Sequence, residues 1–315
     1  SPDLIAIGIF TEEVNRIDAS VGSLAGAIFF PANDMVQKVF KEEQVARYPH
    51  LMEPGRMIAI SLSEPDTGSD ASGIRTTATP DGDDWIIEGR KLWTSNGAVA
   101  DALLVACQLK GAREGETALF VVDLTEHEVE LREVPVIGMN GVSTCEVIYD
   151  RVRLPAAAKI GSLGTLLAMI NQNRVTMALT SVGMAQGAYD MAVGYAKDRI
   201  QFGRPIAAFQ LVQEMIVDMA TDIDLGRLLA YRALALLQEG RPARVECSMA
   251  KMWCTEMGLR VTNTAIQVHG GIGLTREYGL ERFYRDARIK TIATGTTQIQ
   301  KLMIGREILG VSALT

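Results

Sequence analysis

Cysteine and histidine are scarce in this 315-residue sequence, with four of the first and three of the second. Cys107, Cys145, Cys247 and Cys254 stand at spacings that match neither a zinc site nor a redox pair, so each is expected to be a small buried apolar residue. His50, His127 and His269 are too few and too scattered to build a metal centre, and no metal is expected. No Gly-x-Ser-x-Gly elbow is present, which removes one common route to a Ser-His-Asp hydrolase. A basic block is missing too. The 31 Lys and Arg are outnumbered by 38 Asp and Glu, and the net charge of −7 is spread along the chain, so nucleic acid is not an expected partner. No apolar run reaches the length of a membrane span, and the N-terminus lacks the basic, apolar and small-residue order of a secretory signal. These absences lead to the expectation of a soluble, cytoplasmic protein. Its 48% hydrophobic content is enough for a large core.

The hydrophobic periodicity changes twice along the chain. Residues 1–55 have helical character: Ser1-Pro2-Asp3 is a start signal, with Ser able to cap and Pro favoured in the first turn, and Ile5, Ile9, Val14 and Ile17 recur at helical spacing. Residues 56–157 change to short β-rich runs, "MIAISL", "WIIEG", "ALLVACQL", "ALFVVDL" and "CEVIYDRVRL", separated by turn signals such as "PDGDD" and "IGMNG". This part reads as an antiparallel β domain. Residues 158–315 return to long helices, broken at "FGRPIAAF" and at Gly270-Gly271-Ile272-Gly273. Long helices that are apolar on one face and close in sequence predict an antiparallel four-helix bundle. The fold class is therefore α+β and multi-domain: a helical N-terminal part, a central antiparallel β domain and a C-terminal bundle. Met169, Met177, Met184 and Met191 fall at helical spacing and are expected to fill the core.

Two segments, "LSEPDTGSD" (62–70) and "GRKLWTSNG" (89–97), carry a resemblance to the acyl-CoA dehydrogenase family, flavoproteins that oxidise acyl thioesters at the α and β carbons. "RIQFGRPIAAFQLVQ" (199–213), "QVHGGIGLTREYGLERFYRDARI" (267–289) and "IGREILG" extend it through all three parts, in order. The resemblance implies a β domain that holds the ring of FAD between two helical domains, in a homodimer or homotetramer. In the family further helices precede the point that matches residue 1, and they help to wall the substrate cavity. The implied substrate is an acyl-CoA thioester, and the implied electron acceptor is an electron-transfer flavoprotein or another carrier.

Physically, FAD needs a flat apolar slot, partners for the ring edge and a site for two phosphates. On "LSEPDTGSD", Ser63, Gly68 and Ser69 are small enough to let backbone N–H groups approach a ligand. By resemblance Leu62 and Ser63 lie along the ring edge, and Ser69 lies where the pyrophosphate or the thioester tail passes. Without the resemblance this segment reads as a turn with Ser and Asp caps. Trp93 followed by Thr94 and Ser95 can cover one flavin face while a hydroxyl donates to the ring, or Trp93 can be core. Arg199, Gln201 and Phe202 supply a guanidinium for phosphate and a ring for adenine, or form an ordinary exposed loop. The family uses this segment across the subunit interface with the equivalents of Gln267, Gly270 and Gly271. Thr296 and Gln298 are placed beside the phosphate-bearing tail of the flavin. "ERFYRDARI", with Arg282, Arg285, Asp286 and Arg288, reads as an ion-pair network.

Removal of an α proton calls for a carboxylate whose pKa is raised by an apolar pocket. The resemblance puts the family's usual Glu at Thr294, between Ala293 and Gly295, and its alternative location at Asn173, just before Arg174. Neither Thr nor Asn can serve as the base unaided, so the catalytic residue stays unassigned. Ala293, Thr294, Gly295, Arg174 and Ser69 are the expected substrate-binding residues. Three explanations stay open. The chain can carry out a base-independent reaction, such as sulfinate elimination by a desulfinase-like lyase. It can be the catalytically incomplete flavin-binding subunit of a hetero-oligomer. Alternatively, another carboxylate reaches in, although Asp222, Asp224, Glu277, Glu281 and Glu307 read as helix-surface or ion-pair groups.

Overall fold

Two compact units make up the fold, a β unit of residues 24–136 and 140–170 and a helical unit of residues 1–23, 137–139 and 171–315. The computed structural model describes residues 3–29, 39–113 and 115–313.

In the β unit, strands β1 (Ile58–Ser61), β2 (Thr77–Asp81), β3 (Asp84–Ser95), β4 (Ala102–Leu109), β5 (Thr117–Asp123), β6 (Glu130–Glu133), β7 (Thr144–Leu154) and β8 (Lys159–Gly161) form one sheet. Its order is β6-β7-β3-β2-β4-β5-β8, with β1 paired to β4. Most pairings are antiparallel, as expected from the sequence. The exceptions are β1 with β4 and β2 with β4, which are parallel. A wholly antiparallel domain is therefore corrected to a mixed sheet. The reason is visible in β4, where Ala102–Cys107 are all buried: a strand covered on both faces does not alternate, and it can accept parallel neighbours. The "PDGDD" segment is a hairpin turn in which Gly82 takes φ +64 and Asp81 pairs with Asp84. The core gathers Leu103, Leu104, Phe120, Val121, Ile87 and Tyr149, and Tyr48 and Leu51 pack with them; Trp85 meets Phe120 edge-on at 5.4 Å.

Helices in chain order are α1 (Leu4–Ile17), α2 (Ala19–Phe29), α3 (Glu42–Arg47), α4 (Leu163–Asp198), α5 (Gln210–Gln238), α6 (Arg244–His269), α7 (Leu280–Lys290) and α8 (Thr297–Leu309). A short hairpin, β9 (Ile200–Gln201) with β10 (Arg204–Pro205), interrupts the helices at the predicted "FGRP" break. The bundle is built on α4, α5, α6 and α8. Gly258 of α6 lies against Ser181 of α4, and Gly226 of α5 meets Cys254 and Met257 of α6. All four cysteines are buried and unbridged. Of the Met stripe only Met184 is fully buried, while Met169, Met177 and Met191 are half-buried.

The first helix forms where its spacing predicts, but its cap and its buried face differ from the expectation. Ser1 and Pro2 lie outside the described residues; Asp3 is the cap, accepting from the N–H groups of Ile5 and Ala6. The buried side is Gly8, Thr11, Glu12 and Asn15, whereas Ile9 and Ile17 are exposed. Thr11 and Glu12 can point inward because they are satisfied there, the Thr11 hydroxyl by donating to the carbonyl of Ile7 at 2.8 Å. The Glu12 carboxylate accepts from Arg227 Nε at 2.8 Å and from Tyr231 OH at 3.1 Å. Glycines complete the fit: a Cβ at Gly183 or Gly187 of α4 would overlap the carbonyl oxygen of Glu12 or Arg16.

The "IGMNG" turn also contributes to the helical unit. Arg285 Nη1 donates to the carbonyl of Ile137 at 2.5 Å, and the N–H of Met139 donates to Asp286. A side chain at Gly138 would collide with the backbone of Arg285. The "ERFYRDARI" helix is thus an internal network, as expected: Arg285 pairs with Glu281, and Arg282 with Asp18.

Candidate functional site

Within the β unit the two recognised motifs lie side by side. A buried ion pair joins them: Lys91 Nζ donates to Glu64 Oε1 at 2.8 Å and to the carbonyl of Leu62 at 2.9 Å. The N–H groups of Arg75 and Thr76 donate to the two oxygens of Glu64 at 2.7 and 2.9 Å. Burial opposes charge on Glu64, but these hydrogen bonds outweigh it and hold the carboxyl below its usual range; burial pushes the Lys91 ammonium down. The N–H of Leu92 donates to the carbonyl of Ser63 at 2.8 Å, which fastens the loop to β3. Leu62 and Ser63 are half-buried and Ser69 is exposed.

Strand β3 is not regular at Trp93. Its pairing with β7 shifts register between Lys91 and Thr94, and Trp93 takes φ +66. This bulge turns Trp93 out, 55% exposed, between buried Lys91 and buried Thr94. The Thr94 hydroxyl is turned inward and lies 3.2 Å from Ser61 Oγ, which accepts from Tyr149 OH at 3.0 Å. Ser95 is exposed. A left-handed aromatic is sterically unfavourable, and such strain gathers at binding sites.

In the helical unit the "TIATGTTQIQ" segment runs from the end of α7 into α8. Thr294 has φ +58 and Gly295 φ +86, two successive left-handed residues of which the first is β-branched. Thr296 caps α8, its hydroxyl accepting from the N–H of Ile299 at 3.3 Å. Three side chains brace the loop from the buried side. Lys251 Nζ donates to the carbonyls of Gly295 at 2.7 Å and Thr291 at 3.4 Å. Gln300 Nε2 donates to the carbonyls of Thr294 and Gly295 at 3.3 and 3.2 Å, and the Thr297 hydroxyl donates to Glu256 Oε1 at 2.5 Å. Ala293, Thr294, Gly295 and Thr296 are half-buried and Gln298 is exposed. Arg174 is buried, with its guanidinium donating to Ser248 Oγ at 3.3 Å and Met303 Sδ at 3.2 Å; Asn173 is half-buried.

Gln201 and Phe202 lie in the β9–β10 hairpin and Arg199 just before it, and all three are exposed; Phe202, at 93%, has φ +50. Gln267, Gly270 and Gly271 are exposed at the end of α6. An aromatic stack joins the roots of these two segments. Tyr195, whose carbonyl accepts from the N–H of Arg199, stacks on His269 with centroids 4.4 Å apart, and Tyr278 meets His269 edge-on at 5.0 Å. Gly270 takes φ +64 with open space where a Cβ would stand, so backbone can approach a ligand there.

Carboxylates considered as relocated bases are occupied elsewhere. Asp222 pairs with Arg260, Asp224 with Arg227, Glu281 with Arg285 and Glu307 with Arg244; Glu277 is exposed. Sequence reasoning missed Lys91, Glu64, Lys251, Gln300 and Glu256. For Lys251 a signal existed, since Cys247, Lys251, Cys254 and Gly258 fall on one helical face, where a lone lysine must find internal acceptors.

Two family models cover most of the chain: "Acyl-CoA dehydrogenase, middle domain" matches residues 59–152 and "Acyl-CoA dehydrogenase, C-terminal domain" matches residues 163–309. A probable acyl-CoA dehydrogenase of Bacillus subtilis (strain 168) is 35% identical over 315 residues, covering 98% of this chain and 83% of that protein. The caffeyl-CoA reductase-Etf complex subunit CarC of Acetobacterium woodii is 36% identical over 277 residues, covering 85% and 73%. Among solved structures, glutaryl-CoA dehydrogenase from Mycobacterium smegmatis superposes with TM-score 0.93 at 31% identity, covering 100% of this chain and 81% of that one. A glutaryl-CoA dehydrogenase from the same organism in complex with FADH2 gives 0.92 at 25% identity, covering 100% and 82%. With the motifs in order and both family models matched, the chain belongs to the acyl-CoA dehydrogenase family, as an oxidoreductase of the type that acts on CH–CH groups.

Proposed function

We propose that this chain binds FAD and acts on an acyl-CoA thioester at the α and β carbons. One observation carries the reading: of the six non-glycine residues at positive φ among the described residues, Trp93, Asn96, Phe202 and Thr294 fall in segments 89–97, 199–213 and 291–300, to which the resemblance assigns flavin and substrate contacts. The residues present fit the cofactor. Trp93 offers an exposed aromatic face, Ser95 a free-standing hydroxyl, Leu62 and Ser63 a ring edge braced by Lys91, and Arg199 with Phe202 a cation and a ring for a nucleotide. Bound FAD supplies a two-electron acceptor. The protein's share is to orient: the bulge at Trp93 holds the indole out, and the buried donors Lys251 and Gln300 keep the 294–296 backbone fixed. Ser69, Arg174, Ala293, Thr294 and Gly295 are assigned to the acyl-CoA, and Gln267, Gly270, Gly271, Thr296 and Gln298 to the cofactor tail.

The proton is the open step. Thr294 and Asn173 hold no carboxylate, and the acids weighed as replacements are paired or exposed. That pattern favours, as a second reading, a reaction with a built-in leaving group or a subunit completed by a related chain. Self-association into a dimer or tetramer is proposed from the exposed apolar residues Val217, Leu225 and Leu228 on one face of α5. An electron-transfer flavoprotein is the proposed acceptor, supported by the relative named for an Etf complex. The functional division 1–55, 56–157 and 158–315 is part of the same proposal. Flavin absorbance in the purified protein, followed by anaerobic mixing with a panel of acyl-CoAs, tests the reading. Bleaching identifies a substrate. A colourless protein that takes up no added FAD sinks it.

A further inference from the structure

Lys251 is completely buried on α6, and the acceptors of its ammonium are main-chain carbonyls, those of Gly295 at 2.7 Å and Thr291 at 3.4 Å. Gln300, also completely buried, turns Nε2 to the carbonyls of Thr294 and Gly295. In a trans peptide the C=O and the following N–H point in opposite directions, and no cis bond occurs among the described residues. With the carbonyls of Thr294 and Gly295 drawn inward, the N–H groups of Gly295 and Thr296 are turned the other way. Neither N–H, nor that of Thr294, donates to any acceptor among the described residues. The loop is therefore two-sided, with buried donors behind and unspent donors in front, at the positive end of the 13-residue α8. A cation bonded to a peptide oxygen polarises that peptide and strengthens its N–H as a donor.

We infer that Lys251 is a positioning residue, whose ammonium fixes and polarises the Gly295–Thr296 peptide from behind so that its N–H binds an anionic oxygen in front. Resting on the proposed function, that oxygen belongs to the diphosphate of FAD. Lys251 touches no ligand itself. It acts through one peptide unit, and it is a demanding device, because a buried ammonium without a carboxylate bonded to it is kept only where the bonds it makes offset its desolvation.

The test uses apoprotein of the full chain titrated with FAD and, separately, with riboflavin, which has no phosphate, following flavin fluorescence. Wild type is compared with Lys251→Met, Lys251→Arg and Thr296→Pro. Thr296 has φ −60, which proline adopts while removing the N–H in question. Lys251→Met and Thr296→Pro are expected to weaken FAD by about tenfold or more, with riboflavin affinity unchanged, and Lys251→Arg is expected to restore most of the loss. Wild type supplies an arm that does not depend on a variant folding. Burial lowers the Lys251 ammonium to about 8, against the neighbouring Glu256 on its own helix, and Arg174 on α4 lowers it further. FAD affinity should therefore fall between pH 7 and 9.5 while riboflavin affinity stays level. Equal FAD affinity in Lys251→Met and wild type, or no pH dependence beyond that of riboflavin, overturns the inference and leaves the FAD reading standing. Failure of wild type to bind FAD at all overturns the reading itself.

Discussion

Replacing Lys91 by methionine tests whether the two β-unit motifs are held together by the ion pair between them. In the variant the side-chain volume is nearly kept, but Glu64 loses the bond at 2.8 Å and the Leu62 carbonyl the bond at 2.9 Å. Breaking a buried pair from one side costs about 3–5 kcal/mol, because the surviving charge stays buried. Glu64 retains the N–H groups of Arg75 and Thr76, which places the expected cost near the lower end, about 3 kcal/mol. The pH dependence is the sharper part. In wild type Glu64 is held below its ordinary range despite burial, so its stabilisation is present above the unfolded value of about 4.3 and is lost as pH falls through the folded one. In Lys91→Met the opposing burial dominates, the carboxyl takes up a proton more readily, and protonation removes the buried charge. The cost should shrink clearly between pH 7 and pH 4.5. Urea unfolding followed by circular dichroism at both pH values, on wild type, Lys91→Met and Lys91→Met/Glu64→Gln, measures it. At pH 7 the double variant should be more stable than the single one, since its amide oxygen keeps one of the two backbone N–H bonds and the unpaired buried charge is gone. A cost below about 1 kcal/mol at pH 7, or one that does not change with pH, refutes the pairing argument.

Four other outcomes are expected. Thr294→Glu should confer or raise flavin bleaching by acyl-CoAs if only the base is absent; no gain with any thioester that binds would mean that the cavity differs as well. Trp93→Gly should relieve a left-handed conformation worth about 1 kcal/mol and so lose little stability, while bound flavin becomes more fluorescent for want of its indole neighbour; a quenched flavin in this variant would remove Trp93 from the site. Gly187→Ala brings a Cβ onto the carbonyl of Arg16 and should cost about 1–3 kcal/mol in thermal unfolding, whereas Gly194→Ala, where the added atom meets nothing within 4 Å, should be neutral or stabilising. Stability should also rise between pH 8 and about 10. Lys251 and Lys290 are both pushed down to about 8 by burial, so over that window the unfolded chain binds more protons than the folded one, and ΔG of unfolding increases with pH. Lys290→Met should flatten that rise in a urea titration, and an unchanged slope would mean that Lys290 is not buried in solution.

Much of the fold was legible before the structure because it depends on local periodicity. The long helices 163–198, 210–238 and 244–269 begin and end where apolar spacing, Gly and Pro say they should, and the principal strands coincide with the β-rich runs. The residues also permit a sharp turn at Gly295 and a helix cap at Thr296 or Thr297, since caps and left-handed turns are decided by a few adjacent residues, and the structure selects Thr296 as the cap. The face that α1 buries could not. Helical spacing of Ile5, Ile9, Val14 and Ile17 points to an apolar inner side, but burial follows the partner surface. Here Gly183 and Gly187 admit the α1 backbone, and Arg227 and Tyr231 satisfy Glu12.

By itself the sequence determined that this chain is a mixed α+β member of its family, which motifs it carries and that residue 294 is no carboxylate, because residue identity and near-neighbour spacing need no third dimension. Tertiary structure decided what surrounds those motifs. It brings Lys91 to Glu64 across 27 positions of chain and Lys251 to the carbonyl of Gly295 across 44, and it turns Trp93 out of its strand. A buried charge or a left-handed side chain is tolerable only where distant residues supply its partners, and that matching of distant groups exists only once the chain has folded.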